Sequence, residues 1–161
     1  MKLISKTDLE VPAAFVYAQL ADHPAWEREF LRRGADIERP ADMPQSGVGA
    51  GWHVQAPFRG KQRRILLRVA GLDPDRSLTF TFDGQSMQGD AVLEVQALSA
   101  RRSRLRLTLD VKPKTLAARL FINTLRLAKG RVQARLDKRV NQLAARIEGS
   151  HAEARARATR V

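Results

Sequence analysis

Few side chains in this sequence are equipped for proton transfer or metal chemistry, and they are scattered. The chain has 161 residues, three histidines (His23, His53 and His151) and no cysteine, which excludes disulfides, thiolate metal sites and cysteine nucleophiles. Iron held by two histidines and a carboxylate would have only His23 and His53 to draw on before the tail, and these form no ligand pair. No metal and no cofactor is expected. No Gly-x-Ser-x-Gly elbow, P-loop or dinucleotide glycine pattern occurs. The weak catalytic candidate is His53, which shares a strand face with Gln55, while Asp90 lies near a bend. An imidazole on an inward strand position, its pKa shifted by burial, would suit a cyclase or dehydratase. A histidine so placed is more often a satisfied or exposed strand residue than a catalytic one. His23 follows Asp22 and reads as a helix-start residue.

Strands and one long helix must position whatever site exists. Residues 2 to 11 alternate, Leu3, Leu9 and Val11 against Lys6, Asp8 and Glu10, which predicts a half-buried strand. Pro12 opens a short helix, and Asp22 caps a second one with Pro24 in its first turn, Trp26 and Phe30 four apart, and Gly34 as its stop. From Ala35 the period becomes two. Prolines and glycines between Pro40 and Gly51 punctuate the chain before a strand at Trp52 to Phe58. Further strands are expected at 61–71, 77–82, 87–98 and 102–111, with Ile65, Leu67, Phe80, Phe82, Leu105 and Leu107 on their apolar faces. Asp-Pro-Asp at 73–75 and Asp83-Gly84 supply turn residues, so the strands form an antiparallel meander. Pro113 and Thr115 then open a helix expected to run unbroken to about Glu148. Ala118, Phe121, Ile122, Leu125, Ala128, Val132, Leu136, Val140, Leu143 and Ile147 fall on its sheet-facing stripe, and Gly130 is its weak point. Residues 149–161 lack an apolar period and are expected to be a loose Ala/Arg-rich tail beyond a domain spanning 1–148.

The distribution of charge narrows the partners. The formal net charge is +12, yet residues 1–111 hold 16 basic against 14 acidic side chains, whereas residues 112–146 hold 10 basic side chains and a single acid, Asp137. On the long helix Leu116, Leu120 and Leu127 lie opposite the core stripe, and Arg119, Arg126 and Arg131 stand on the flanks. Leucines beside cations are what a peripheral contact with anionic headgroups, or with a membrane-bound or acidic protein, requires. The bland alternative has the leucines covering a neighbouring loop and the charges only solvating the helix. Arg102, Arg104 and Arg106, with Arg64 and Arg68 beside them, could bind nucleic-acid phosphates, but no stacking platform accompanies them and nucleic acid is not the expected partner. The first ten residues carry no signal-peptide pattern, and the longest uncharged stretch, Met43 to Phe58, is too short and too rich in glycine and proline to cross a bilayer. The expected location is cytoplasmic, with any membrane contact peripheral and on the inner face.

Three stretches carry a family texture: LEVPAAFVYAQLADHPAWERE, with Pro12 ending a strand and Asp22 four residues before Trp26; SGVGAGWHV; and AGLDPDRSLTFTFDG. With the terminal helix they resemble the START-related, birch-pollen-allergen-like superfamily (SRPBCC) of polyketide cyclases and lipid-transport proteins. The resemblance implies an α+β helix-grip fold: a curved antiparallel sheet of six or seven strands around a long C-terminal helix, with two short helices after the first strand. It further implies a cavity for an apolar or amphipathic small molecule such as a lipid, quinone or polyketide. Candidate lining residues are Trp26, Phe30, Ile65, Leu67, Phe80, Phe82, Leu93, Leu107, Phe121 and Leu125. Simple core filling by the same side chains is the alternative.

Overall fold

The computed structural model describes residues 1–160. Seven strands, β1 (Lys2–Leu9), β2 (Asp36–Glu38), β3 (Gly51–Phe58), β4 (Lys61–Asp73), β5 (Ser77–Gly84), β6 (Met87–Ala97) and β7 (Ser103–Pro113), form one antiparallel sheet in the order β1-β7-β6-β5-β4-β3-β2. Helices α1 (Ala13–Leu20) and α2 (His23–Arg32) follow β1, and α3 (Leu116–Leu127) and α4 (Lys129–Thr159) follow β7. The expected helix-grip architecture is present.

Register assigns every strand residue to a face. Leu3 opposes Leu109, Leu93 opposes Leu107, Phe80 opposes Ala91, and Leu67 opposes both Trp52 and Phe82, so these side chains share the concave side. Their charged neighbours, including Asp8, Arg104, Arg106, Glu94 and Arg64, share the convex side. A bulge between Val69 and Gly71 reaccommodates the register where β4 bends, as curvature of this kind requires. The core is built from the concave residues together with Val16 and Leu20 of α1 and Ala144 and Ile147 of α4. Asp22 caps α2 by accepting from the backbone N–H of Ala25 at 3.2 Å, and Thr115 caps α3 in the same way from Ala118 at 3.1 Å.

Two expectations for the C-terminal segment need correction. The helix expected to be single is broken at Ala128, whose φ of −107° and ψ of 30° end α3 before α4 starts. The two pieces pack on different supports: α3 lies against β7, whereas α4 lies against β1 and α1. One straight rod cannot follow both around a bent sheet, so the axis changes direction at Ala128, two residues before Gly130. The segment expected to be loose from Gly149 continues as helix to Thr159. Alanine and arginine are strong helix formers, Glu153 and Arg157 pair one turn apart at 3.6 Å, and the ring of His151 meets Phe15 edge-on at 4.8 Å.

α4 is also fastened by polar contacts. The Ser5 hydroxyl donates to Asp137 at 2.6 Å, and the Gln133 amide donates to Asp137 at 2.9 Å and to the Ile4 carbonyl at 2.8 Å. Those hydrogen bonds hold the Asp137 carboxyl below its usual pKa. The one acid of residues 112–146 is thereby spent on the seam with β1.

At one point the sheet tolerates no side chain. A Cβ on Gly89 would lie 1.9 Å from the Asp110 carbonyl oxygen and 2.7 Å from the Phe82 ring, whereas one on Gly149, within α4, would meet nothing within 4 Å. Gly89→Ala is therefore expected to cost about 2–3 kcal/mol and to lower the thermal midpoint by about 5 °C or more. Gly149→Ala is expected to raise stability by roughly 0.5–1 kcal/mol, and thermal denaturation of the pair checks both signs.

Candidate functional site

The concave face is closed at one end and open at the other. At the closed end, Trp52 is 1% exposed. Its ring lies 5.5 Å from His23, 6.2 Å from Phe30 and 6.5 Å from Phe80, while Trp26 stacks on Phe30 at 6.3 Å and meets Phe80 edge-on at 5.8 Å. Such offset and edge contacts fill space without leaving a void. The polar edges of both indoles are satisfied: Trp26 donates to the Leu20 carbonyl at 2.6 Å, and Trp52 donates to the Glu27 carboxylate at 2.7 Å. Glu27 also receives the Arg39 guanidinium. Burial works to raise the pKa of Glu27, but the Trp52 indole and Arg39 outweigh it and hold the carboxyl below its ordinary value. Trp26, Phe30 and Phe80, three of the expected lining residues, belong to this packed end.

Helix α2 is anchored a second time through Glu29, which is buried and receives Arg33 at 2.8 Å, Arg32 at 3.4 Å and Arg146 of α4. Burial again opposes ionisation, and the hydrogen bond from Arg33 with the charges of the three guanidiniums prevails, so the carboxyl is held low. The closed end is thus locked to α4 as well as to the sheet.

At the other end, Ile65, Leu67, Phe82, Ala91, Leu107 and Leu109 point to the concave side by register but are only partly buried. Ile65, Leu67, Ala91 and Leu107 also pack against the buried core, so this end of the concave face is thinly covered. Leu93 lies deeper and is buried. The opening is flanked by two elements. One is α3, where Ala118 and Ile122 are buried, Phe121 and Leu125 are half-buried, and Leu116, Leu120 and Leu127 are 72%, 59% and 91% exposed. The other is the β3–β4 hairpin, whose tip turns through Arg59 and Gly60 with φ of 53° and 75°. Positive φ at both turn positions matches the twist of the strands. The Phe58 ring meets Phe121 of α3 edge-on at 6.2 Å, and the Arg59 guanidinium sits 4.3 Å from the same ring, a cation–π contact. The sequence reading put Phe121 on the sheet-facing stripe and missed this contact. Its signal was the pair Phe58-Arg59 ahead of a glycine, which names no partner on its own.

His53 is corrected. It opposes Leu66 and Glu38 and so lies on the convex side, because the period of two gives the inward positions of β3 to Trp52, Val54 and Ala56. Asp90, opposite Thr81 and Asp110, is also convex. Every strand histidine, aspartate and glutamate has that orientation; by register the charged strand residues on the concave side are Lys61 and Arg63, near the hairpin tip. Among the described residues, no group of three or more histidine, aspartate or glutamate side chains converges as a ligand set.

The convex arginine row meets carboxylates. Arg102 lies 2.8 Å from Glu10, Arg104 grips Asp8 with two nitrogens at 2.7 and 3.2 Å, Arg106 lies 3.8 Å from Glu94, and Arg64 lies 3.7 Å from Glu38. The Arg104 hydrogen bond lowers the Asp8 pKa. A depression of about 460 Å³ on this side is lined by Lys6, Arg76, Arg104 and Arg106 together with Asp73 and Glu94, a mixed-charge surface. By contrast, Arg119, Arg126 and Arg131 have no carboxylate partner among the described residues. No helix among them is long and apolar enough to cross a membrane.

His23 is 7% exposed and its Nε2 lacks a hydrogen-bond partner. Burial, with the Arg39 charge second, pushes its pKa below the ordinary 6.5. In the unfolded chain the imidazole takes up a proton near its ordinary pKa, whereas the folded protein resists until a lower pH. Stability is therefore expected to be full above about pH 6.5 and to fall, by up to about 1.4 kcal/mol per pH unit, as pH drops toward the folded pKa. Urea unfolding at a series of pH values checks this, and His23→Phe is expected to flatten the dependence in that window.

No protein-family model matches the sequence, and no curated protein matches it significantly. Solved structures do match. A protein from Thermus thermophilus aligns with a TM-score of 0.65 and 17% identity, covering 93% of this chain and 99% of the other. An aromatase/cyclase from Streptomyces sp. R1128 aligns with a TM-score of 0.65 and 17% identity over 92% and 93% of the two chains. A START superfamily protein from Mycobacterium smegmatis aligns with a TM-score of 0.55 and 16% identity over 88% and 98%. Strand order, the paired helices after β1 and the terminal helix across the concave side thus identify the fold as the helix-grip fold of the START-related superfamily.

Proposed function

We propose that the protein binds an apolar or amphipathic small molecule, of the lipid, quinone or polyketide kind, at the open end of its concave face. The observation that carries this reading is the set of inward but water-accessible side chains, Ile65, Leu67, Phe82 and Leu107, with Phe121 and Leu125 on the flanking helix. Apolar walls exposed to water gain roughly 25 cal/mol per Å² when a ligand covers them. A cyclase or dehydratase, the activity suggested by the aromatase/cyclase neighbour, would use an acid or base in the chamber. The strands offer no histidine, aspartate or glutamate on that side, and Lys61 stands out at the hairpin end, so the geometry favours binding.

The finer part of the reading is a peripheral contact with an anionic membrane through α3. Leu116, Leu120 and Leu127 stand clear of the fold, and Arg119, Arg126 and Arg131 accompany them. Each cation close to an anionic surface contributes about 1 kcal/mol. Docking on an acidic or membrane-bound protein is the alternative use of the same face.

Titration with an uncharged solvatochromic dye such as Nile red tests the chamber. Leu67→Asp, which places a charge on its wall, and Ala91→Phe, which fills it, are each expected to weaken dye binding about tenfold or more while thermal unfolding remains cooperative. Wild-type affinity in both variants would overturn the proposal. Organic extraction of protein from its native source, followed by mass spectrometry, would then identify the cargo.

A further inference from the structure

The structure assigns a second element to the anionic-bilayer contact: the tip of the β3–β4 hairpin, joined to α3 as one composite docking face around the chamber mouth. The inference rests on the membrane reading of α3 and extends it to residues that no sequence pattern links to that helix. Phe58 is 53% exposed although it belongs to a strand, and its ring contacts Phe121, on the flank of the helix that carries Leu116 and Leu120. Arg59 reaches the same Phe121 ring at 4.3 Å. A tight turn with φ positive at both positions brings this tip beside α3.

Charge treats the two elements alike. The sequence has no acidic residue from Met43 to Leu72, which includes Arg59, Lys61 and Arg63 in the hairpin, and none from Val111 to Leu136, which includes Lys112, Lys114, Arg119, Arg126, Lys129 and Arg131. The next acid, Asp137, is turned onto Ser5 of β1. Of these nine cations, only Lys114 has a carboxylate partner, Asp83, among the described residues. On the convex side, Arg64, Arg102, Arg104 and Arg106 are each matched to an acid, while Arg68 is not. At this end of the fold, exposed large apolar side chains therefore stand among cations without carboxylate partners. An acceptor must satisfy both. A bilayer bearing acidic lipids offers headgroups to the cations and hydrocarbon to Phe58, Leu116, Leu120 and Leu127, whereas nucleic acid would leave the leucines in water. With this face seated, the chamber opens toward the lipid, and an apolar ligand passes between them without crossing water.

Co-sedimentation with phosphatidylcholine vesicles, with and without phosphatidylglycerol, tests the face. The wild-type protein is expected to sediment only with the acidic vesicles and to be released as salt rises. Phe58→Ser/Arg59→Gly in the hairpin and Leu120→Ser/Leu127→Ser in α3 are each expected to weaken that binding about tenfold, while Nile red affinity stays at the wild-type value. No sedimentation of the wild type, or equal sedimentation with both vesicles, overturns the membrane reading of α3 and the composite face with it. Weakening by the α3 pair alone, with the hairpin pair bound like wild type, overturns only the hairpin assignment. The dye titration reports on the chamber independently of either result.

Discussion

The indole of Trp52 is the contact on which the rest of the grip depends. A curved sheet has one concave face, and the helices available to cover it are two short ones, a three-turn segment and a long one. By touching His23, Phe30 and Phe80 and donating its N–H to Glu27, Trp52 ties α2 to the middle of the sheet. That closes the end nearest α1 and α2 with interlocking rings, which bury large areas in fixed geometry. With the Trp52 cluster committed there, the opposite end is lined by aliphatic side chains with Phe58 and with Phe82, the latter over Gly89, where β6 and β7 approach too closely for any side chain.

Much of this order was legible in the sequence because strand periods are local. The alternations Ile65-Leu67-Val69 and Leu105-Leu107-Leu109 assign faces without knowledge of partners, and Asp22 and Thr115 cap helices through bonds only three residues away. What the sequence hid is long-range or marginal. β2 is three residues long, too short to show a period. The break at Ala128 arises because α3 and α4 rest on different strands, which no helical wheel records. The helical tail was misjudged by weighing its missing apolar stripe above the propensity of alanine and arginine. The outward position of His53 follows from its neighbours, since Trp52, Val54 and Ala56 claim the inward positions of β3. The Phe58–Arg59–Phe121 contact spans more than sixty positions and follows only from the folded register.

Electrostatics divides the surface in the same way as packing divides the interior. On the convex side, charges meet their opposites across neighbouring strands: Arg104 faces Asp8 and Arg106 faces Glu94. Such exposed pairs add little stability, but they leave a nearly neutral face. On the α3 side, Asp137, the one acid of residues 112–146, is drawn inward by Ser5 and Gln133. Binding α4 to β1 therefore has an electrostatic consequence some distance away, because the carboxylate that secures the seam is no longer available to neutralise the arginines along the outer face.

Stability and opening are thus assigned to different ends of one sheet. The closed end carries the two indoles, the Glu27 and Glu29 ion pairs and most of the fully buried side chains. α3 is held more lightly, by two buried residues, a one-residue joint at Ala128 and the reach of Phe121 to the hairpin tip. Local opening in proteins is drawn from segments with few buried contacts, and α3, with two buried residues, is such a segment. The site proposed for an apolar ligand there shares no residue with the Trp52 cluster or the α4 seam. The proposed site is thereby separated from the contacts that hold most of the folding energy.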